Sequence, residues 1–287
     1  ITSVNNKLMK RILSLIIFSL FMFAAFVQSN NILNCIAEEE RQIPIIMYHS
    51  VLPSKTGQYC VTPSMLEDDL KYLKERGHQS VFISDIIDFC EGNGSLPEKP
   101  VVISFDDGHY NNYYYAYPII AKMNFKANLN VIGCFVDYST KSKDNDNPSY
   151  SYLTWSEIKT LQDSGYFEIG NHTYKMHDFK PRFGICKKKD ESKEDYQKNI
   201  TEDILKLENK LKNECNITTK VFAYPFGEYN DDCENILRSL GYKAFLTCNE
   251  GINKIKKGES KKLSHLKRIN RTGLITTAEF FEKFDIK

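Results

Sequence analysis

The sequence lacks a charge bias: 38 Lys and Arg residues stand against 37 Asp and Glu, a net charge of +1. A polyanion binder usually carries a basic excess, so nucleic acid is not expected as a partner. No apolar run reaches the roughly 20 residues of a free-standing membrane span. Tryptophan occurs once, as Trp155 just inside an expected helix start, a place that reads as core. No internal repeat is visible, which removes solenoids and propellers. The eight cysteines (Cys35, Cys60, Cys90, Cys134, Cys186, Cys215, Cys233 and Cys248) include no CxxC pair. A chain of this size does not need disulfide staples. Most of them read as buried small hydrophobes; one or two bridges stay open, with a connectivity that sequence does not give.

What is present begins with an N-terminal signal. Lys7, Lys10 and Arg11 precede Ile12 to Val27, 16 residues without a charge. A basic flank followed by an apolar stretch is the pattern of a secretory leader. Cys35-Ile36-Ala37 is a weak cleavage candidate, and an uncleaved membrane anchor through residues 12–27 stays open. Residues 1–37 are therefore expected to be a signal peptide or membrane anchor, and residues 38–287 a single catalytic domain. The protein is expected to be secreted or at the cell surface. Hydrophobic residues at 41% and charged residues at 26% fit a globular domain.

Beyond a short charged linker, apolar runs alternate with helical patterns. Pro44 to Tyr48 reads as a buried strand. Thr62 as N-cap, Pro63 at the first helical position and Gly77 as stop bound a helix with Leu66, Leu70 and Leu73 at helical spacing. Val81 to Ile83 reads as a strand, with Ser84 capping a short helix that ends near Gly92. Further strands are expected at Pro100 to Phe105, Leu129 to Ile132, Phe167 to Gly170 and Val221 to Tyr224. Helices are expected after Thr154, whose capping box closes on Glu157, along Ile200, Ile204, Leu207 and Leu211, and over Asn235 to Leu240. The stretch from Lys180 to Lys198 reads as a solvated loop. Strands that look apolar throughout, alternating with helices, point to an α/β fold with a parallel sheet covered outside. Six or seven such units favour barrel-like closure.

Polar residues gather where these strands end: His49, Asp106, Asp107, His172 and His177. Barrel enzymes place their sites at that face. Two imidazoles and one carboxylate can hold a divalent metal with positions left open, as catalytic zinc sites do. His172 and His177 are five apart, about 140° around a regular helix, so an irregular turn must bring them together. A second carboxylate can serve as general base. His109 stands near the same cluster, and the tyrosine run Tyr113-Tyr114-Tyr115 with Tyr117 reads as either a sugar groove or a helix packed on the barrel.

These residues resemble the polysaccharide deacetylases of the NodB-homology type, carbohydrate esterase family 4. Ser104-Phe105-Asp106-Asp107-Gly108 is similar to the first motif, T-F-D-D-G. Asn171 to His177 looks like the histidine motif with one extra residue. Met47-Tyr48-His49-Ser50-Val51 and the longer histidine spacing look more like the poly-N-acetylglucosamine deacetylase branch. The resemblance covers roughly residues 43 to 275. It implies a distorted (β/α) barrel of about seven parallel strands and hydrolysis of acetyl groups from N-acetylglucosamine residues of an extracellular or cell-wall polysaccharide. It also implies Asp106 as base, a divalent metal, most commonly zinc, on Asp107, His172 and His177, and the Phe226 backbone amide as oxyanion donor.

The third motif, R-x-P-x-G, appears as Ala223-Tyr224-Pro225-Phe226-Gly227, without its arginine. Tyr224, Pro225 and Phe226 would line the oxyanion and substrate side. Leu263-Ser264-His265 resembles the L-x-H motif of the general acid, but the branch similarity implies His49 in that role. Alternatives of other kinds are a glycan-binding module without turnover and a deacetylase of an O-acetylated glycan.

Overall fold

The computed structural model describes residues 14–23 and 40–287. It divides into two units, residues 1–40 and 41–287. In the first, the described residues 14–23 are helical (α1) and exposed. Among the described residues, no helix is long and apolar enough to cross a membrane. The basic flank, the candidate cleavage site and Cys35 lie outside the described residues.

The strands β1 (Glu40–Ile43), β2 (Ile45–Tyr48), β3 (Ser50–Val51) and β4 (Cys60–Val61) come first in the rest of the chain. Then follow α2 (Pro63–Glu75), β5 (Gln79–Ser80), α3 (Ile83–Cys90) and β6 (Pro100–Phe105). A wide helical turn at Asn112–Ala116 leads into α4 (Tyr117–Met123), β7 (Ala127–Val131), α5 (Gly133–Lys141), α6 (Trp155–Asp163) and β8 (Phe167–Asn171). The chain continues through α7 (Lys193–Cys215), β9 (Val221–Ala223), α8 (Asp231–Ser239), β10 (Ala244–Leu246), β11 (Asn253–Lys256), β12 (Ile269–Asn270) and α9 (Thr277–Lys283).

Seven strands form one parallel sheet in the order β10-β9-β8-β7-β6-β2-β12, with the short β5 also on β6. The sheet curls until its two ends meet. Leu246 bridges to Leu266, Thr247 N donates to Leu266 O, and Arg268 N donates to Asn249 O. This is the distorted barrel expected from the sequence. Its closure is made by the irregular segment before β12 instead of by an eighth regular strand.

The strands are not apolar throughout, as their sequences suggested. Ile103 and Phe105 of β6, Leu129 and Val131 of β7 and Ile169 of β8 pack in one core with Leu66, Leu70 and Leu73 of α2, Ile158 and Leu161 of α6, and Leu207 and Leu211 of α7. The residues between them on the strands, Ser104, Asn128 and Asn130, are fully buried and polar. Side chains alternate across a strand, so these face the barrel interior. Val102 and Ile45 face inward lower down and pack on Ile83, Ile86 and Ile87 of α3.

The helix punctuation is largely as read. Thr62 caps α2 by accepting from Met65 N, and Thr154 with Glu157 closes the capping box of α6. The exception is α3. Its N-cap is Phe82, not Ser84, and the strand expected at Val81 to Ile83 is only Gln79–Ser80. Glu168 reaches across from β8 and accepts from Ile83 N and Ser84 N at 3.0 and 3.2 Å. A carboxylate brought from a distant strand thus does the work of a local cap. The Lys180 to Lys198 stretch also departs from a solvated loop. Lys193 already begins α7, and Arg182 and Glu191 form a buried ion pair. Trp155 is core, donating from Nε1 to Asp137 at 2.8 Å. Tyr113, Tyr115 and Tyr117 pack on the outer core as a helix face does, while Tyr114 is exposed, and none of the four lines the cavity at the strand ends. All seven described cysteines are free.

Burial pushes the Glu168 carboxyl up to about 7, against the helix N–H groups that favour its charge. A group raised in the folded state stabilises below its unfolded value and loses that contribution as pH rises through the folded one. Relative to Glu168→Gln, the native protein should therefore lose on the order of 2 kcal/mol between pH 4.5 and 7. Urea melts across that range read the difference; a native protein that gains on the variant with rising pH would contradict it.

Candidate active site

Every strand end that carries a candidate residue opens on one cavity of about 640 Å³. His49 follows β2, Asp106 and Asp107 follow β6, and His172 follows β8. His177, His109 and Phe226 join them on the wall.

Asp107, His172 and His177 come together as a set whose ligand atoms all lie within 4.8 Å of one another. Nε2 of each histidine is 3.7 Å from Asp107 Oδ1. Tetrahedral zinc with bonds of about 2.0–2.1 Å separates its ligand atoms by roughly 3.4 Å, so the spacing fits. Asp107 Oδ1 is buried without a hydrogen-bond partner, an acceptor held for something not supplied by the protein. His172 Nδ1 lies 2.7 Å from Ala223 O. That contact assigns the proton to Nδ1 and leaves the Nε2 lone pair toward Asp107. Burial pulls His172 down to about 4, so the ring is neutral at neutral pH. Neighbouring imidazoles hold the Asp107 carboxyl far below the usual range, although burial opposes this. The residues present fit a divalent metal.

The turn between the histidines is irregular, as the spacing required. Thr173 has φ 74°, and its hydroxyl accepts from Met176 N at 3.0 Å. Asp203 on α7 accepts from Tyr174 N and Lys175 N at 2.8 and 2.9 Å. The His177 loop is thereby tied to a helix that packs on the barrel.

Asp106 is held differently. Its Oδ1 accepts from Asn130 Nδ2 and Arg268 Nη1, both at 2.8 Å. The guanidinium is fully buried and also donates from Nε to Thr247 O at 2.8 Å. Burial raises the Asp106 carboxyl, but Arg268 and His172 outweigh it and bring it to about 2. Gly170 makes room for Asn130: a Cβ there would sit 2.1 Å from Asn130 Oδ1. The arginine missing from the third motif is thus replaced from the far end of the chain. Ala223 stands at the motif's arginine position, and Arg268, just before β12, carries the charge.

His49 lies against Tyr59, ring centroids 4.9 Å apart, with its backbone carbonyl held by Asn112 Nδ2 at 2.8 Å. Burial lowers its pKa, while Asp106 and Asp107 pull the other way. His265 is elsewhere. It pairs with Glu234 at 2.9 Å, stacks on Tyr229, and does not line the cavity. His109 Nε2 is 3.4 Å from Asp107 Oδ2 and its ring stacks on Tyr152.

Of Tyr224, Pro225 and Phe226, the first and last line the cavity and Pro225 does not. The Tyr224 ring is fully buried between Tyr229 and Phe245, and Pro225 is buried. Phe226 has φ 60° and packs its ring 4.4 Å from His177. Sequence reasoning missed Arg268, Asn130, Cys248 and Glu250, the last two on the cavity wall. For Asn130 a signal existed: a polar residue at an inward position of a buried strand.

Arg268→Met should cost about 3–5 kcal/mol, because it strands a buried carboxylate. Adding Asp106→Asn should return most of that loss, since the remaining amide needs no countercharge. Urea denaturation of the single and double variants measures the coupling. A loss in the double variant equal to the sum of the Arg268→Met and Asp106→Asn losses would show the pair to be independent.

Comparisons with known proteins bear on this geometry. The chain is 27% identical over 232 residues to the poly-β-1,6-N-acetyl-D-glucosamine N-deacetylase of Escherichia coli strain K12. The match covers 72% of this chain but 34% of that relative, so the chain spans about a third of its length. The structure of IcaB from Ammonifex degensii superposes with a TM-score of 0.67 at 26% identity, covering 81% of this chain and 92% of that one. Streptococcus pyogenes deacetylase PplD, at 24% identity and a TM-score of 0.67, shares the fold over 84% of this chain and 97% of its own. The model of the polysaccharide deacetylase family matches residues 93–245, the span from the approach to β6 through β10 that carries Asp106, Asp107, His172 and His177. That match exceeds half of the sequence, and this chain belongs to the polysaccharide deacetylase family.

Proposed function

We propose that the protein hydrolyses acetyl groups from N-acetylglucosamine residues of a surface or cell-wall polysaccharide, with a divalent metal, zinc by preference, held on Asp107, His172 and His177. The observation that carries this reading is Asp106 beside that set, with one carboxylate oxygen fixed by Asn130 and Arg268 and the other left for chemistry. When bound, the metal supplies Lewis acidity toward water and the acetamide carbonyl. Asp106, ionised at neutral pH, takes the proton of the attacking water through Oδ2. The Phe226 backbone amide donates to the oxyanion of the acetyl group. His49, in contact with the same cavity, gives a proton to the departing sugar amine. Burial lowers the His49 pKa, with Asp106 and Asp107 opposing, so the ring gives up a proton readily once it carries one.

The sugar identity is supported by the likeness to the Escherichia coli poly-β-1,6-N-acetyl-D-glucosamine N-deacetylase and to IcaB. Arg268 sets beside Asp106 the charge that the third motif lacks, which supports turnover over a glycan-binding module. The N-terminal basic flank and apolar run support export, with membrane attachment through residues 12–27 part of the same proposal.

Acetate release from N-acetylglucosamine oligomers, metal-stripped and then zinc-reloaded, tests the reading. Reloading should restore release, and Asp107→Ala should abolish it even in excess zinc. Asp106→Asn should slow turnover by about 10²-fold or more. His49→Ala should lose activity while His265→Ala keeps it. Near-normal turnover of Asp106→Asn would remove the base assignment, and the reverse order of the histidine variants would move the acid to His265.

A further inference from the structure

Three phenylalanine rings rise beside His177, and packing does not account for their exposure. Phe226 lies against His177 at 4.4 Å, and Phe183 lies parallel to Phe226 at 4.8 Å and 7°. Phe179 stacks on Phe226 at 4.6 Å and on Phe183 at 5.7 Å. Phe179 is nonetheless 71% exposed and lines the cavity, while Phe183 is 39% exposed. A large apolar side chain left in water forgoes about 2 kcal/mol of burial.

The loop that presents them is built to stay in place. Arg182 and Glu191 pair almost fully buried, Arg182 Nη1 donates to Cys186 O at 2.7 Å, and Asn199 Nδ2 donates to Glu191 at 2.8 Å. Gly184, at φ 54°, donates its N–H to Asp178 O, and a Cβ on it would sit 3.1 Å from Pro225 O. The loop is therefore seated on the Pro225-Phe226 turn, and the rings are ordered before any ligand arrives, which lowers the cost of binding.

We infer that Phe179, backed by Phe226 and Phe183, is a stacking subsite for a neutral pyranose ring of the substrate chain, next to the sugar that loses its acetyl group. This rests on the proposed deacetylase reading. A pyranose presents a face of C–H bonds to an aromatic ring and keeps its hydroxyls at the edge, in water. Such a face fits an exposed ring on the wall of a polar cavity better than an isolated acetamide does. The enzyme would then act on a chain in preference to a single sugar.

The test compares native protein, Phe179→Ala and Phe179→Trp, zinc-loaded, on β-1,6-linked N-acetylglucosamine monomer and tetramer. Calorimetric binding of the tetramer is measured in parallel, in each case on an Asp106→Asn background. Phe179 is exposed, so its truncation should leave stability within the range of surface substitutions. Native kcat/KM should rise from monomer to tetramer. Phe179→Ala should remove that rise through a KM about tenfold higher on tetramer, leave the monomer unchanged, and weaken tetramer binding about tenfold. Phe179→Trp should keep both. Equal losses on monomer and tetramer, or no change on either, would overturn the subsite while the deacetylase reading stands. Binding that depends on Phe179 without any acetate release would uphold the subsite and overturn the deacetylase reading. Neither binding nor release would overturn both.

Discussion

A guanidinium and a carboxylate buried against each other hold the barrel and its chemistry in one arrangement. The side chains of Arg268 and Asp106 are 0% and 3% exposed. Neither charge is tolerable there alone, because an unpaired buried ion costs several kcal/mol. The pair joins the end of β6 to the segment that closes the sheet, so closure and the ionised state of Asp106 depend on the same contact. Three residues later Arg271 repeats the device. It holds Asp69 of α2, whose carboxylate also accepts from Tyr48 and Thr277, all around a fully buried ion pair. The last segments of the chain are thus fixed to the first strand and helix of the barrel by charge in a low-dielectric interior.

The site's loops carry strain that this frame sustains. Asp107, Thr173 and Phe226 all have φ between 60 and 74°, a region that non-glycine residues occupy at a cost of about 1 kcal/mol each. One lies after each of β6, β8 and β9, and each turns the chain over the cavity. Asp203 and Asn171 hold the histidine turn through backbone N–H groups, and the close seat of Gly184 on Pro225 with the Phe183 ring holds the Phe226 turn. Gly108 follows Asp107 in the same left-handed region, and its Cβ would press Val131 Cγ1 at 3.2 Å. Sharp turns of this kind bring Asp107 after β6 and the two histidines after β8 within 4.8 Å of one another.

The two aspartates are neighbours in sequence and differ in surroundings. Asp106 has one oxygen locked by two donors, and Asp107 has one oxygen with no protein donor at all. Burial opposes ionisation in both, and nearby cationic or imidazole groups overcome it in both. What separates their chemistry is which hydrogen bonds are already made. The fixed carboxylate suits proton transfer, and the unpartnered oxygen suits a cation.

Much of this was legible in the residues themselves. The caps at Thr62 and Thr154, the buried stripe Ile200, Ile204, Leu207 and Leu211, and the strands ending in Asp106-Asp107 and Asn171-His172 are local patterns, set by propensity and periodicity along a few turns of chain. So the alternation of strands and helices, and the gathering of His49, Asp106, Asp107, His172 and His177 at one face, were determined by the sequence alone. Three things were decided only in three dimensions: the cap of α3 by Glu168, the polar interior around Asn130, and the arginine that reaches Asp106. Each joins residues 24 to 162 positions apart. No local rule relates such positions, since their partnership exists only once the sheet has curled far enough to bring the first strands and the last into contact.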